Sequence, residues 1–324
     1  MLGRMVNAIA FDAPRLGAWI GGAVLLALAG LYLAARVREA RLLRARPPPG
    51  RLVGGAPGRR IHLIERPGAD PAVVFIHGNP GCSLDFVHLQ ERLAGRRRTF
   101  SVDRPGSGWS ERERAPLTPQ AQARRIRAAL HAAGAREVVL AGFSFGGPVS
   151  VAYALEFPDE VRALALLAPV GDPHSPMEMD AAQAMLAWPL WGWMASWTFA
   201  PAVFPAAVRG GWVKAFAPLP VVAAAAANAS PLIGRPLCLW ATAADWAALP
   251  AALPELARDY GRIRAPVEIL AAGEDHVVPA AHPRALAAGI PGANLTVIPG
   301  AGHQVMHTHP DEVLAAIERA LARA

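Results

Sequence analysis

Lysine is almost missing from this chain: of its 32 basic residues, Lys214 alone is not arginine. With alanine, glycine and proline abundant beside the arginine, that bias reflects codon usage rather than chemistry. Cysteine is as scarce. Cys82 and Cys238 lie far apart in sequence, so no disulfide framework is indicated and a folded domain must stand on its apolar core. No cluster of His, Cys, Asp and Glu at metal-ligand spacing, no phosphate-binding glycine loop and no dinucleotide fingerprint is present, so neither a metal nor any other cofactor is expected.

What charge there is lies unevenly. The formal net charge is +7, and residues 36–60 hold eight arginines against Glu39, while the rest of the chain is close to neutral. A spread of basicity would suggest a nucleic-acid partner; here the excess follows directly on Leu16–Ala35, LGAWIGGAVLLALAGLYLAA, which has no charged residue. Twenty such residues can span a bilayer. The run is longer than the apolar part of a signal peptide, and no small-x-small cleavage pattern precedes the arginines. Residues 1–46 are therefore expected to be a membrane anchor with a basic flank, and no nucleic-acid partner is expected. Arg36, Arg38, Arg41, Arg44 and Arg46 outweigh Arg4 and Arg15, which places the C-terminal side of the span in the cytoplasm. Pro47-Pro48-Pro49-Gly50 should break the helix, and residues 47–59 read as a spacer.

The remainder is organised around REVVLAGFSFGGPVSVAYALEF at 136–157. Glu137–Ala141 is a short apolar run suited to a buried strand, and Pro148–Phe157 reads as a helix. Between them Gly142-Phe143-Ser144-Phe145-Gly146 fits G-x-S-x-G, in which a serine sits on a strained strand-to-helix turn with its hydroxyl pushed outward. The N–H of Phe145, opening the helix, would point at a developing oxyanion. Any glycine-rich turn could show these five residues, so the surrounding chain must decide.

It supplies more strands of the same kind. Arg60–Glu65 alternates; Pro71–Ile76 is apolar and ends at His77-Gly78-Asn79-Pro80-Gly81; Thr99–Val102 ends at Asp103-Arg104-Pro105-Gly106. Thr118-Pro119 opens a helix to about Ala133, with Thr118 as N-cap. Val161–Leu167, Val267–Ala271 and Leu295–Ile298 complete the set. Strands alternating with helices argue for a doubly wound, mostly parallel α/β sheet. Residues 172–264 break the rhythm and hold seven of the nine tryptophans, so they are read as a helical cap over the carboxyl ends of the strands. The core would then be 60–171 and 265–324.

From about residue 60 to its end the chain resembles the α/β-hydrolase superfamily, on HGNPG at 77–81, DRPGSGWS at 103–110, GFSFG at 142–146, GEDHVVP at 273–279 and GAGHQVMHTHP at 300–310. Their order, serine, acid, histidine, is the order in that fold. The resemblance implies Ser144 as nucleophile, His303 as base and Asp275 as the acid that orients it. His276, His307 and His309 compete for the base, and Glu274 and Asp172 for the acid. The N–H groups of Asn79 and Phe145 would form the oxyanion hole. HGNP is also similar to the turn of haloalkane dehalogenases and epoxide hydrolases, but those enzymes carry aspartate where Ser144 stands. His77, Asp103 and Arg104 are read as structural.

The expected activity is hydrolysis of an apolar carboxylic or lipid-like ester. The alternatives are carbon–carbon hydrolysis of ring-cleavage products by the same triad, or a silent membrane-tethered binding protein. Trp188, Trp191, Trp193, Trp197 and Trp212 could pack the cap, line an acyl pocket or meet the bilayer interface.

Overall fold

The computed structural model describes residues 13–54, 59–175, 177, 179 and 181–324; expectations for Arg4 and for the middle of the 47–59 segment lie outside them. Among the described residues, eight strands form one sheet: β1 (Arg51–Val53), β2 (Ile61–Arg66), β3 (Ala69–Ile76), β4 (Arg97–Val102), β5 (Val138–Phe143), β6 (Val161–Leu167), β7 (Val267–Ala272) and β8 (Asn294–Ile298). Their order is β1-β2-β4-β3-β5-β6-β7-β8. The pairs β1/β2 and β2/β4 are antiparallel and all others parallel.

The central strands are apolar on both faces because both faces are covered. On β3, Val73 and Phe75 point to a layer with Phe86, Leu89, Leu93, Val313 and Ile317, while Val74 and Ile76 point to one with Ile126, Leu130, Val149 and Tyr153. The first layer is built by α2 (Val87–Leu93) and α12 (Pro310–Ala322), the second by α3 (Pro119–Ala132) and α4 (Gly146–Glu156). As expected, Thr118 caps α3, its hydroxyl accepting from the amide of Ala121 at 3.3 Å.

α1 (Ala13–Ala45) precedes the sheet, α10 (Ala281–Gly289) lies against β7 and β8 near its far edge, and α11 (Val305–Thr308) packs on α12 and beside α2, where His88 Nε2 donates to Met306 O at 2.7 Å. The segment between β6 and β7 carries α5 (Ala181–Ala187), α6 (Trp191–Trp197), α7 (Ala200–Phe216), α8 (Ala223–Ile233) and α9 (Pro236–Arg258). The second half of α9 joins the sheet's own apolar layer through Trp246, Leu249, Leu253 and Leu256.

The sequence reading is corrected at the spacer. Within 47–59, Arg51–Val53 is an edge strand whose register against β2 pairs Leu52 with His62. The helix ends at Ala45, before the prolines, but it is not held away from the folded part. Arg46 donates to the carbonyl of Asn228 at 3.3 Å, Trp109 Nε1 donates to the carbonyl of Arg46 at 3.0 Å, and Glu39 pairs with Arg235 at 2.9 Å.

Candidate active site

Ser144 sits at the tip of the β5–α4 turn with φ +53°, a left-handed conformation that costs a serine roughly 1–3 kcal/mol and persists only where its surroundings impose it. Three hydrogen bonds do so here. The amide of Ser144 donates to Leu167 O at 2.9 Å, and its carbonyl accepts from Gly147 N at 2.9 Å and Val170 N at 3.2 Å. The flanking glycines are required by space: a Cβ on Gly146 would overlap the carbonyl of Ile76, and one on Gly142 would overlap Ser150 Oγ and the carbonyl of Gly146. Phe145 occupies the N-cap of α4, where amides have no partner within the helix.

Asp275 lies in the turn after β7. Its Oδ1 accepts the amides of Val277 and Val278, each at 2.8 Å, leaving Oδ2 to face His303. His303 Nδ1 donates to that oxygen at 2.7 Å, and both side chains are nearly buried. Burial opposes ionisation of Asp275, but the charge and hydrogen bond of His303 with the two valine amides outweigh it and hold the carboxyl below its ordinary value. The turns after β7 and β8 are zipped together, Gly273 N and Glu274 N donating to Ile298 O and Ala301 O at 2.9 Å each. His303's ring packs on Phe143, centroids 4.8 Å apart, which sets the imidazole beside the elbow. Ser144 Oγ makes no hydrogen bond among the described residues.

Neither Asp172 nor His307 nor His276 joins the His303–Asp275 pair. Asp172 Oδ1 accepts the amide of His174 at 2.9 Å, and its own amide donates to His282 Nδ1 at 2.9 Å. His307 stacks on His88 and Phe216, and burial with the His88 charge pushes it down to about 3. His276 is exposed. Among the described residues no three metal-ligating side chains gather to hold an ion.

The turn carrying Asn79 is fixed by His77 and Arg104. His77 Nδ1 donates to Gly78 O at 2.8 Å, while its Nε2 accepts the amide of Arg104 at 2.9 Å. Burial and the Arg104 charge push His77 down to about 3, so this neutral tautomer persists. A Cβ on Gly78 would reach Ser144 Cβ at 3.0 Å, so the turn runs directly against the elbow. The Asn79 amide group donates to Thr242 O of α9 at 2.9 Å. Its side chain is turned to the cap.

Asp103 accepts Trp109 N of its own turn at 2.9 Å and, beyond that turn, His62 Nδ1 of β2 at 2.8 Å. Arg104 does not stop at its turn, and that correction matters for the cap. It reaches Asp245 of α9 at 2.8 Å, and Arg112 reaches the same carboxylate at 2.6 Å. Arg104 also lies over the Phe145 ring, 4.5 Å to the centroid, with Trp246 meeting that ring edge-on at 5.3 Å. Sequence offered no signal for this set beyond an Arg after β4 and one acid, Asp245, in the apolar first half of α9.

The tryptophans divide. Trp212 donates to Ser230 Oγ at 2.9 Å within a small cap core, Trp197 packs on Tyr32 of α1, and Trp188 and Trp191 are exposed. The cap touches the histidine loop through α7: Gln304 N donates to Ala215 O at 3.2 Å, and a Cβ on Gly302 would overlap the carbonyls of Phe216 and Ala217. A cleft of ≈ 380 Å³ opens between α1 and α7, lined by none of the three candidate catalytic residues.

Known proteins resemble this arrangement. A haloalkane dehalogenase of Agrobacterium fabrum is 35% identical over 113 residues, covering 35% of this chain and 37% of that enzyme, so the match spans well under half of that relative. An uncharacterized protein of Mycobacterium tuberculosis is 27% identical over 278 residues, 81% of this chain and 79% of its own length. The solved structure of an esterase from Exiguobacterium antarcticum superposes with a TM-score of 0.66 at 20% identity, covering 84% of this chain and 99% of that one, a likeness of fold alone. A family model described as the α/β hydrolase fold matches residues 71–310, most of the chain. The chain therefore belongs to the α/β-hydrolase family.

Proposed function

We propose that this hydrolase cleaves an apolar carboxylic ester through an acyl-enzyme on Ser144, and that α1 anchors it in a membrane with the catalytic domain on the cytoplasmic side. The observation that carries the chemistry is the 2.7 Å His303–Asp275 pair on an imidazole packed beside a left-handed serine. An ionised Asp275 keeps the proton on Nδ1, which leaves Nε2 to act as a base.

In the first half-reaction Ser144 Oγ attacks the carbonyl carbon while His303 Nε2 takes its proton. The carbonyl oxygen becomes an oxyanion, met by the N–H groups of Phe145 and Asn79. Collapse breaks the carbon–oxygen bond to the alcohol, which leaves with the proton from His303. A water then attacks the acyl-enzyme as His303 takes its proton, the carboxylic acid departs, and the proton returns to Ser144. Halide displacement and epoxide opening are disfavoured, since Ser144 replaces the elbow aspartate and the Asn79 amide group is engaged by Thr242 O.

α1 supports the membrane reading because it is long and apolar enough to cross a bilayer and the protein leaves its apolar stretch almost wholly uncovered. The catalytic reading is tested with a serine-directed fluorophosphonate. The wild type should label covalently, and Ser144→Ala should lose both the label and about 10⁴–10⁶ of kcat; a variant that still labels rejects the elbow assignment.

A further inference from the structure

The membrane-facing part of this protein extends beyond α1. Outside α1, eight large apolar side chains are exposed among the described residues, and all but Val297 lie between residues 188 and 222 of the cap. They include Trp188, Leu190, Trp191, Met194, Val203 and Val213, with Leu190 79% and Val203 67% exposed. A monomer in water rarely concentrates so many such side chains in one short run of helices. From 181 to 244 there is no Asp or Glu, while Arg209, Lys214 and Arg235 are present. An ordinary solvated helical surface mixes both signs.

The position of this face is fixed by α1. Trp197 of α6 packs on Tyr32 at 5.8 Å and takes Arg36 over its ring at 5.2 Å, while Phe204 and Val208 of α7 line a cleft with Ala35 and Leu42. The cap therefore meets α1 from Tyr32 onward, where the uncharged stretch ends and the arginines begin. If Leu16–Ala35 crosses a bilayer, α6 and α7 stand at the depth of its headgroups. Glu39, the one acid among these arginines, is consumed by Arg235. Arg38 and Arg209, both exposed, line the same cleft, so the junction is cationic at that depth. Aromatic and aliphatic side chains with surrounding cations and no acids are what an anionic interface accepts.

We propose that the outer face of α5, α6 and α7 inserts shallowly into the cytoplasmic leaflet of an anionic bilayer beside α1, so that the cap lies on the membrane rather than facing water. This rests on the reading of α1 as a span, and the experiment separates the two. Because Cys82 and Cys238 are completely buried, a cysteine introduced on the surface of the full-length chain takes an environment-sensitive thiol fluorophore selectively. Leu25→Cys, Leu190→Cys, Val203→Cys and Glu318→Cys are labelled and reconstituted in phosphatidylcholine–phosphatidylglycerol vesicles, then quenched by chain-brominated lipid or by aqueous iodide. The expected result is lipid quenching at 25, 190 and 203 and iodide quenching at 318. Lipid quenching at 25 with iodide quenching at 190 and 203 overturns the cap insertion and leaves the span intact. Iodide quenching at 25 rejects the span and the insertion with it. Shielding of 190 and 203 from both quenchers means that another protein surface covers this face, which also overturns the proposal.

Discussion

Arg104 and Asp245, 141 residues apart, form an ion pair of 2.8 Å from which water is excluded on both sides. The pair joins the turn after β4 to the cap helix α9, and Arg112 completes it from a second loop. Two guanidiniums share one carboxylate, with Gln122 Oε1 and Gly78 O accepting further N–H groups of Arg104.

Removing the carboxylate leaves two buried cations uncompensated. Asp245→Asn should cost about 3–5 kcal/mol in denaturant unfolding, the range for breaking a buried ion pair on one side. Since Arg104 also covers Phe145, the variant should lose activity at temperatures where it remains folded. A loss below 1 kcal/mol would show that the cap does not depend on this link.

The acid is tested by a pair of substitutions. Asp275→Asn should keep the fold and lower kcat by about 10⁴, because an amide facing Nδ1 favours the wrong imidazole tautomer. Asp172→Asn should be mild, since its carboxylate caps the amide of His174. Should the two exchange phenotypes in steady-state kinetics, the acid follows β6 and not β7.

Asp85 gives the protein a pH dependence of its own. Burial pushes its carboxyl up to about 7, the Asp103 charge adding and the hydrogen bond from the Cys82 amide opposing. In the unfolded chain it titrates near 4. Between those values the folded state holds a proton that the unfolded state has released, so this group makes stability fall as pH rises from about 4 to about 7, by up to about 1.4 kcal/mol per unit, and leaves it flat above. Asp85→Asn should remove that slope. Unfolding free energies at pH 5 and pH 8, compared between wild type and variant, check the sign.

Substrate class is read from p-nitrophenyl esters of rising acyl length. In a deep apolar pocket each buried methylene is worth about 0.8 kcal/mol, or about fourfold in kcat/KM. A rising series supports a lipid-like ester. No turnover of any ester, with cleavage of a vinylogous diketone acid, would move the reaction to carbon–carbon hydrolysis with Ser144, Asp275 and His303 unchanged.

Much of the fold was legible because its signals are local. The β5 strand is readable from the apolar run Glu137–Ala141, though it starts one residue later and extends to Phe143, and the glycines around Ser144 mark the turn by the backbone approach they permit. Val161–Leu167 was readable to the residue for the same reason. β1 was not, since three residues between prolines and glycines carry no periodicity and become a strand through pairing with β2. Neither was the Arg104–Asp245 pair, whose partners are specified by tertiary packing across the cap. At the site, the Asp275 turn and the glycine loop of His303 could be read, but the engagement of the Asn79 side chain by Thr242 O depends on where α9 crosses, which no local pattern encodes.

The hydrogen bond from Gln304 N to Ala215 O, with Gly302 wedged against the carbonyls that end α7, makes the cap a wall of the histidine's own loop. Moving α7 away from this loop must break that bond and strip the backing from residue 302. If His303 is the base proposed above, α7 and the imidazole are mechanically geared, and variants that displace α7 should loosen the imidazole and lose turnover.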